Sequence, residues 1–282
     1  MHVFIVAKVM HRLGSDGKQY HIACGEGDLA DYLLLPGDPD RVIKIVKFWD
    51  SAEEVSSRRE FRSFTGKYGG VPISVLSTGI GPACMAIAVN EASNVGVRTF
   101  IRVGSTAAIQ KSIACGDVII SSAAVRLDCT SNCYIMPEYP AAANYEALLA
   151  LIEAVEGLNV KNYHVGVTAT TADFYAGQSR VTAKGYSGQN ENLLAALQKA
   201  HVLNFEMETA TLYTLASLYG LRAASVCTVL ANRCTNEFRT EVGEETAIRI
   251  ANEAVRILAK WDKLKKKAAK PWLYPSLVRS AR

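Results

Sequence analysis

Short apolar runs alternate with helical patterns along most of this chain, and no other sequence feature limits the possible folds as strongly. Five runs have the composition of strands, at residues 73–76, 99–103, 118–125, 164–169 and 223–230. Helical periodicity occurs near residues 82–95, 143–156, 190–200, 207–219 and 244–263. This alternation predicts an α/β fold. Because the strands are apolar throughout, we expect a sheet that is covered on both faces, with binding sites beyond the carboxyl ends of its strands.

A glycine-opened turn with a nearby arginine follows the first predicted strand. Tyr32–Leu35 has the pattern of a buried strand, Asp38 can cap a helix, and Pro39 suits the first helical position. Gly37 would let an anion approach the free N–H groups of the helix N-terminus, and Arg41 could add a bidentate hydrogen bond. Most turns of this kind bind nothing, so the prediction of a phosphate site depends on the motifs that accompany it.

Two further cations accompany that turn. Arg102 lies inside the apolar run 99–103, and Ser105 follows that run. A buried arginine needs a partner, which is either a structural carboxylate or a bound anion that Ser105 also contacts. Arg59 offers another cation, for which a surface ion pair is an equally good explanation.

Two carboxylates flank a methionine at Glu206, Met207 and Glu208. Residues two apart lie on the same side of an extended segment, and this triplet is predicted to straddle a helix start. Acidic residues at a helix N-terminus are favoured by the helix dipole, which would explain the pair without any ligand. The functional alternative is that the carboxylates accept hydrogen bonds from the vicinal hydroxyls of a ribose while Met207 packs against the sugar.

Composition limits the functional classes. The chain has 282 residues and a formal net charge of +4. Much of the excess positive charge lies in a lysine-rich segment at residues 260–270, so a distributed nucleic-acid surface is not supported. No linker divides the sequence, and we expect one domain over residues 1–282, with a poorly ordered extension at 1–20 and a basic tail at 264–282. The apolar start of the chain is too short to span a bilayer, so no membrane partner is predicted.

The seven cysteines form no framework of paired spacings. An odd number of scattered cysteines predicts reduced thiols and a cytoplasmic protein. Cys129 and Cys133 are four residues apart, but no second pair of ligands completes a zinc set.

Taken together, these motifs resemble the type I nucleoside phosphorylases and, within that class, the uridine phosphorylases. The resemblance runs from about His21 to Leu258. Its specific parts are Pro36-Gly37-Asp38-Pro39-Asp40-Arg41-Val42, Ser77-Thr78-Gly79-Ile80-Gly81, and the segments 100–110, 174–180 and 204–209. It implies a three-layer α/β/α domain with a central mixed, partly barrel-like sheet.

The resemblance implies phosphorolysis of uridine to uracil and ribose 1-phosphate, as in pyrimidine salvage. Inorganic phosphate would be the co-substrate, and the chemistry would need no cofactor. The active unit would be at least a dimer with shared active sites, either a dimer or a trimer of dimers. Acceptance of deoxyuridine and thymidine stays open.

The resemblance also assigns residues to each part of the site. The phosphate-binding positions are Gly37, Arg41, Arg59, Arg102 and Ser105, with Arg59 reaching in from a neighbouring subunit. The ribose-binding positions are His21, Glu206, Met207 and Glu208, with His21 from the same neighbour. The base-binding positions are Phe174, Gln178, Arg180 and Arg233. The residues expected to carry the chemistry are Arg41, Arg102, Gln178, Arg180 and Glu208. A structural cation is expected at a subunit interface, at Glu60, Ile80 and Cys84, where bacterial members carry serine in place of Cys84.

Two alternatives remain open at this stage. Purine-cleaving relatives place an aspartate after the late strand to protonate the departing base, whereas this chain has Ala231-Asn232-Arg233 there. Uracil can leave as a delocalised anion without a general acid, so this ending favours a pyrimidine. The second alternative is a catalytically silent binding or storage protein, against which the intact set of arginines and carboxylates argues.

Overall fold

The computed structural model describes residues 17–240 and 242–279, and within them the chain forms eleven strands and seven helices. The strands are β1 (Tyr32–Leu35), β2 (Ser51–Arg58), β3 (Phe61–Tyr68), β4 (Val71–Leu76), β5 (Thr99–Ala108), β6 (Val118–Leu127), β7 (Ala141–Ala142), β8 (Tyr163–Thr171), β9 (Asn204–Glu206), β10 (Arg222–Asn232) and β11 (Glu237–Phe238). The helices are α1 (Pro39–Val46), α2 (Pro82–Asn94), α3 (Tyr145–Gly157), α4 (Leu193–Lys199), α5 (Thr209–Leu218), α6 (Glu244–Lys267) and α7 (Pro275–Arg279).

The strands form one mixed sheet in the order β11-β10-β6-β8-β9-β5-β1-β4-β3-β2, with β7 beside β6. Strand β10 pairs with β5 as well as with β6. The strands β10, β6, β8, β9 and β5 therefore close into a barrel. The pairings of β1 with β4 and β5 are parallel, whereas β6 runs antiparallel to β10. The predicted α/β fold with a mixed, partly barrel-like sheet is confirmed.

Helices cover both faces of the sheet because successive strand residues point to opposite sides. In β1, Leu34 packs in a core with helices α1, α3 and α6, through residues such as Ile45 and Leu151. Its neighbours Leu33 and Leu35 pack instead in a second core with α2 and α5. These two cores on either side of one sheet make the three layers that were expected.

The turn after β1 forms as its residues predict. Asp38 is the N-cap of α1, and its Oδ1 accepts a hydrogen bond from the backbone N–H of Asp40 at 2.9 Å. Pro39 is the first residue of the helix, where its missing N–H costs nothing. The buried helical residues Val42 and Ile45 hold α1 against the sheet.

Both ends of the described chain pack against the domain. The expected extension at 1–20 lies outside the described residues up to residue 16, but Gln19 is buried and its N–H donates to the carbonyl of Cys24 at 2.9 Å. The lysine-rich segment lies at the end of a helix. Helix α6 continues to Lys267, and after it Leu273 and Leu277 are buried against the domain. In residues 17–240 and 242–279, no helix is both long and apolar enough to cross a bilayer.

Candidate active site

A cavity of about 1100 Å³ lies where β1, β5 and β10 end. The parallel pairing of β5 with both β1 and β10 brings their carboxyl ends to one edge of the sheet, as the sequence predicts for a covered sheet. The residues that border it come from segments up to about 200 positions apart in the chain, from Gly37 to Phe238. The predicted phosphate-, ribose- and base-binding residues that line it are Gly37, Arg41, Arg102, Ser105, Phe174, Gln178, Arg180, Glu206, Met207, Glu208 and Arg233, and the predicted cation-binding residues Glu60, Ile80 and Cys84 line it as well.

Gly37 occupies a position where a side chain would crowd the neighbouring backbone. A Cβ atom there would lie 3.1 Å from the carbonyl oxygen of Gly79, and the Gly79 N–H donates to the Gly37 carbonyl at 2.9 Å. This contact joins the turn after β1 to the turn after β4. The two backbones therefore form one continuous wall at the end of the cavity that α1 and Arg41 border.

Arg41 extends from the first turn of α1 and is 9% exposed. Its Nε donates to Oε1 of Glu244 at 2.6 Å, and its Nη1 donates to the carbonyl of Val103 at 3.0 Å. Glu244 also binds Lys44, whose Nζ lies 2.5 Å from Oε2. The guanidinium is thus held from two sides by groups on α6 and β5.

Arg102 is buried beside two carboxylates. Its Nε donates to Oε2 of Glu206 at 2.9 Å, and its Nη2 lies 2.5 Å from Oε2 of Glu208. Burial opposes the charge, but the two carboxylates outweigh it and raise the pKa of Arg102. The alternative of a structural carboxylate partner is therefore realised, although Arg102 also borders the cavity together with Ser105.

Glu206 borders the cavity, but groups of the protein already bind both of its carboxylate oxygens. Its side chain is fully buried, Oε1 accepts from the hydroxyl of Thr170, and Oε2 accepts from Arg102. Oε2 also accepts the backbone N–H groups of Glu208 and Thr209, both at 2.9 Å. Both oxygens are engaged by the protein. Glu206 holds the start of α5 and Arg102 in place, and its contact with a ribose stays a prediction.

Met207 and Glu208 follow β9 and precede α5, so the triplet straddles a helix start as predicted. Oε1 of Glu208 accepts the backbone N–H of Gly81 at 2.6 Å. Burial raises the pKa of Glu208, and the charge of Arg102 only partly offsets this effect. Glu208 thus has fewer hydrogen-bond donors around its carboxylate than Glu206.

The other end of the cavity is formed by the loop after β8. Gln178 is 2% exposed, and its buried Oε1 accepts no hydrogen bond, while the buried Nε of Arg180 donates none. The guanidinium of Arg180 lies 4.6 Å from the ring centre of Phe174, and burial lowers the pKa of Arg180. Arg233 lies behind this loop and donates to the carbonyls of Gln178 and Ser179. Its hydrogen bonds hold the loop backbone.

His21 and Arg59 do not line this cavity. Nδ1 of His21 lies 2.6 Å from Oε1 of Glu91, and Arg59 is exposed at the turn between β2 and β3, with its guanidinium 5.9 Å from the ring centre of Tyr20. Their assignment to a neighbouring subunit's site therefore stays a prediction.

The residues expected to hold an interface cation do not form a complete site in one chain. The thiol of Cys84 donates to Oε1 of Glu60 at 3.5 Å, and Ile80 is 77% exposed. Among the described residues, no group of three or more histidine, cysteine, aspartate or glutamate side chains could hold a metal ion. One carboxylate and one protonated thiol are a poor donor set for a cation, so any such site would need ligands from a second chain.

Four residues near the cavity were missed by sequence reasoning. Glu244 and Thr170 act through hydrogen bonds to site residues, and Glu237 and Phe238 line the cavity from β11. Glu244 is the first residue of a predicted helix, and the helix dipole alone explains an acidic residue at that position. No local pattern connects Glu244 with Arg41, which is 203 positions away.

Comparison with known proteins identifies the family. A model described as the phosphorylase superfamily matches residues 31–260. A uridine phosphorylase from Thermococcus kodakarensis is 56% identical over 263 residues, which are 93% of this chain and 94% of that protein. A uridine phosphorylase from Escherichia coli is 40% identical over 85% of this chain and 97% of that protein. A guanosine phosphorylase from Halorubrum lacusprofundi is 37% identical over 76% of this chain and 84% of that protein. With a family match across the whole cavity-forming region, this chain belongs to the phosphorylase superfamily.

Proposed function

We propose that this protein is a uridine phosphorylase, an enzyme that transfers the ribosyl group of uridine from uracil to inorganic phosphate. The bond between C1′ and N1 of the base breaks, and a bond between C1′ and a phosphate oxygen forms, which gives uracil and ribose 1-phosphate. The same site would also catalyse the reverse reaction, because both directions pass through one transition state. The most similar relatives named above, at 56% and 40% identity, are uridine phosphorylases.

The observation that carries this proposal is the pair of unpartnered atoms at one end of the cavity. A buried acceptor on Gln178 and a buried donor on Arg180 each cost about 1–3 kcal/mol while they lack a partner. Uracil offers an imide N–H as donor and two carbonyl oxygens as acceptors. A bound uracil would therefore satisfy both atoms, and Phe174 at the cavity wall supplies an aromatic face for the ring.

The two ends of the cavity fit the charges of the reaction. As the C1′–N1 bond breaks, positive charge develops on the sugar and negative charge on the uracil. Arg180 would stabilise the charge on a uracil oxygen, and phosphate held by Arg41 and Arg102 would approach C1′ from the other side. Glu208 would accept a hydrogen bond from a ribose hydroxyl, and its carboxylate would stabilise the cationic sugar. No covalent nucleophile is required.

A purine substrate is the second candidate, because one relative is a guanosine phosphorylase. The residues after β10 do not supply an acid for it. Asn232 is 2% exposed, and its side chain is bound to the carbonyl of Gln110 and to the N–H of Cys234. Glu237 borders the cavity, but its Oε1 is paired with Arg239 at 2.7 Å. These contacts favour the pyrimidine.

A substrate panel tests the proposal. Purified protein is mixed with uridine, deoxyuridine, thymidine, cytidine, inosine or guanosine, with and without phosphate, and the ultraviolet absorbance is followed. We expect uridine to be consumed only in the presence of phosphate. Consumption of inosine or guanosine in place of uridine would assign the purine function, and stable nucleosides in every arm would assign a binding or storage protein.

We also propose a single domain, self-association and a cytoplasmic location. The single sheet contains strands from residue 32 to residue 238, which supports one domain. Self-association would bring His21 and Arg59 of one chain to the cavity of another. All seven cysteines are free, which supports a reducing compartment.

A further inference from the structure

The N-terminus of α6 reaches across the fold to the arginine at the start of α1. Oε1 of Glu244 accepts from Nε of Arg41 at 2.6 Å, with both side chains mostly buried. On its other edge, the same guanidinium donates through Nη1 to the carbonyl of Val103 at 3.0 Å. An arginine carries its N–H donors in a rigid plane, so two fixed contacts determine how the whole plane is oriented.

These two contacts leave the remaining N–H donors of Arg41 for the cavity that the residue borders. Val103 directly follows Arg102, so two adjacent residues of β5 hold Arg41 through a carbonyl and supply the second arginine. A phosphate can be bound by both guanidinium groups only when their planes converge. The contact with Glu244 fixes the plane of the Arg41 guanidinium, which could otherwise rotate about the bonds of the long side chain.

We propose that Glu244 is a positioning residue, which orients Arg41 for phosphate and thereby makes phosphate affinity depend on the N-terminus of α6. This inference depends on the proposed function, because it requires phosphate at Arg41. Glu244 does not touch the substrate. It acts through Arg41 alone.

A carboxylate near an anion site should repel the anion, and Lys44 limits this effect. Its Nζ lies 2.5 Å from Oε2 of Glu244, on the side away from the bond to Arg41. Burial opposes ionisation of Glu244, but the hydrogen bonds from Lys44 and Arg41 prevail and lower the pKa of Glu244. At neutral pH the carboxylate is therefore ionised, and its charge is shared between two cations.

The alternative role for Glu244 makes the opposite prediction. If its carboxylate merely occupied the place of phosphate, its removal would free Arg41 and strengthen phosphate binding. If it orients Arg41, removal would weaken phosphate binding even though a negative charge is lost. The direction of the change in KM for phosphate therefore separates the two roles.

The experiment compares Glu244→Ala, Glu244→Gln and Glu245→Ala in the full chain. Glu245 is the matched control, because it is exposed in the same first turn of α6 and carries the same charge. We expect Glu244→Ala to raise the KM for phosphate by about tenfold or more, with the KM for uridine changed less than about twofold. Glu244→Gln retains an oxygen that can accept from Arg41 and should restore most of the affinity. Glu245→Ala should match the wild type.

A second measurement does not require turnover. Phosphate that binds only the folded protein raises its melting temperature, and this rise should be smaller for Glu244→Ala than for the wild type and Glu245→Ala. A lower KM for phosphate in Glu244→Ala, or equal behaviour of Glu244→Ala and Glu245→Ala, would overturn the inference. Absence of phosphate-dependent turnover in the wild type would instead refute the proposed function.

Discussion

At the level of single residues, the unpartnered Oε1 of Gln178 predicts how the base is recognised. Gln178→Leu has a similar shape and leaves no acceptor for the imide N–H of uracil. We expect kcat/KM for uridine to fall by about tenfold to a hundredfold, because a bound uracil would leave its N–H buried without a partner. Steady-state kinetics with varied phosphate supply the control, since the KM for phosphate should change little. A large change in that value alone would mean that the base lies elsewhere.

The two carboxylates around Met207 should respond differently to the same change. Glu206 accepts four hydrogen bonds from the protein, so Glu206→Gln should lower the free energy of unfolding by about 2–4 kcal/mol. Glu208→Gln should change stability by less than about 1 kcal/mol, because it removes a charge whose burial already raises the pKa of Glu208. Its main effect should be a fall in kcat of about tenfold or more, through the lost stabilisation of the cationic sugar.

Urea unfolding and steady-state kinetics on both variants check this contrast. If Glu206→Gln loses activity at wild-type stability, Glu206 contacts the sugar after all. An unfolded or severely destabilised Glu208→Gln would show that Glu208 is the structural partner of Arg102.

Sequence reasoning found residues whose roles depend on close neighbours and missed those that depend on distant ones. Asp38 as a helix cap follows from its position before Pro39, because both act within one turn. The bonds of Glu206 to Arg102 and of Arg41 to Glu244 join residues more than 100 positions apart. Only the folded sheet brings such residues together, so the sequence did not predict the structural contacts of Glu206 or those of Glu244.

At the level of elements, the apolar strands and helices were predictable, and the polar ones were not. Helices α2 and α6 begin where the periodicity places them, at residues 82 and 244. The hairpin of β2 and β3 was missed because β2 is mostly exposed over Ser51–Arg58 and thus lacks an apolar pattern. The hairpin joins the sheet because β3 pairs antiparallel with both β2 and β4. The polar sequence of β2 does not predict this pairing.

Helix α6 is fixed at its other end by Asp262, far along the helix from Glu244. The Asp262 carboxylate accepts from both Nη atoms of Arg222, at 2.8 and 2.7 Å, and from the hydroxyl of Tyr32 at 2.6 Å. These bonds tie the helix to the first residues of β10 and β1. Burial opposes ionisation, but Arg222 and Tyr32 lower the pKa of Asp262 overall.

Asp262→Asn should therefore lower the free energy of unfolding at pH 7 by about 1–3 kcal/mol. Because the folded-state pKa is lowered, this contribution is present above the unfolded value of about 3.9 and is lost as pH falls through the folded value below it. The wild type and Asp262→Asn should converge in urea midpoint as pH falls below about 4. A difference that persists undiminished well below pH 4 would show that the ionised carboxylate is not the stabilising group.

At the level of the whole molecule, the residues alone predict a covered α/β sheet, but not its closure into a barrel. Closure depends on β10 pairing with both β5 and β6, and these pairings join strands far apart in the chain. The barrel-like sheet was expected only from the family resemblance, because related proteins share a fold. The shared active site has the same origin, since nothing in one chain's composition indicates that His21 and Arg59 act in trans.

A mixing experiment tests the shared site directly. Arg59→Ala and Arg102→Ala are each expected to be nearly inactive, because each removes one phosphate-binding cation. If Arg59 acts in the neighbour's site, a mixed dimer contains one site that lacks both arginines and one that has both. Random pairing of equal amounts, after co-expression, should then restore about a quarter of the wild-type activity.

Mixing Arg102→Ala with Arg41→Ala is the matched control, because both residues border the cavity of their own chain and every site in the mixture lacks one of them. No recovery in the test mixture, while Arg59→Ala alone is inactive, would mean that Arg59 serves a site of its own chain. Recovery in the control would mean that Arg41 or Arg102 acts across chains.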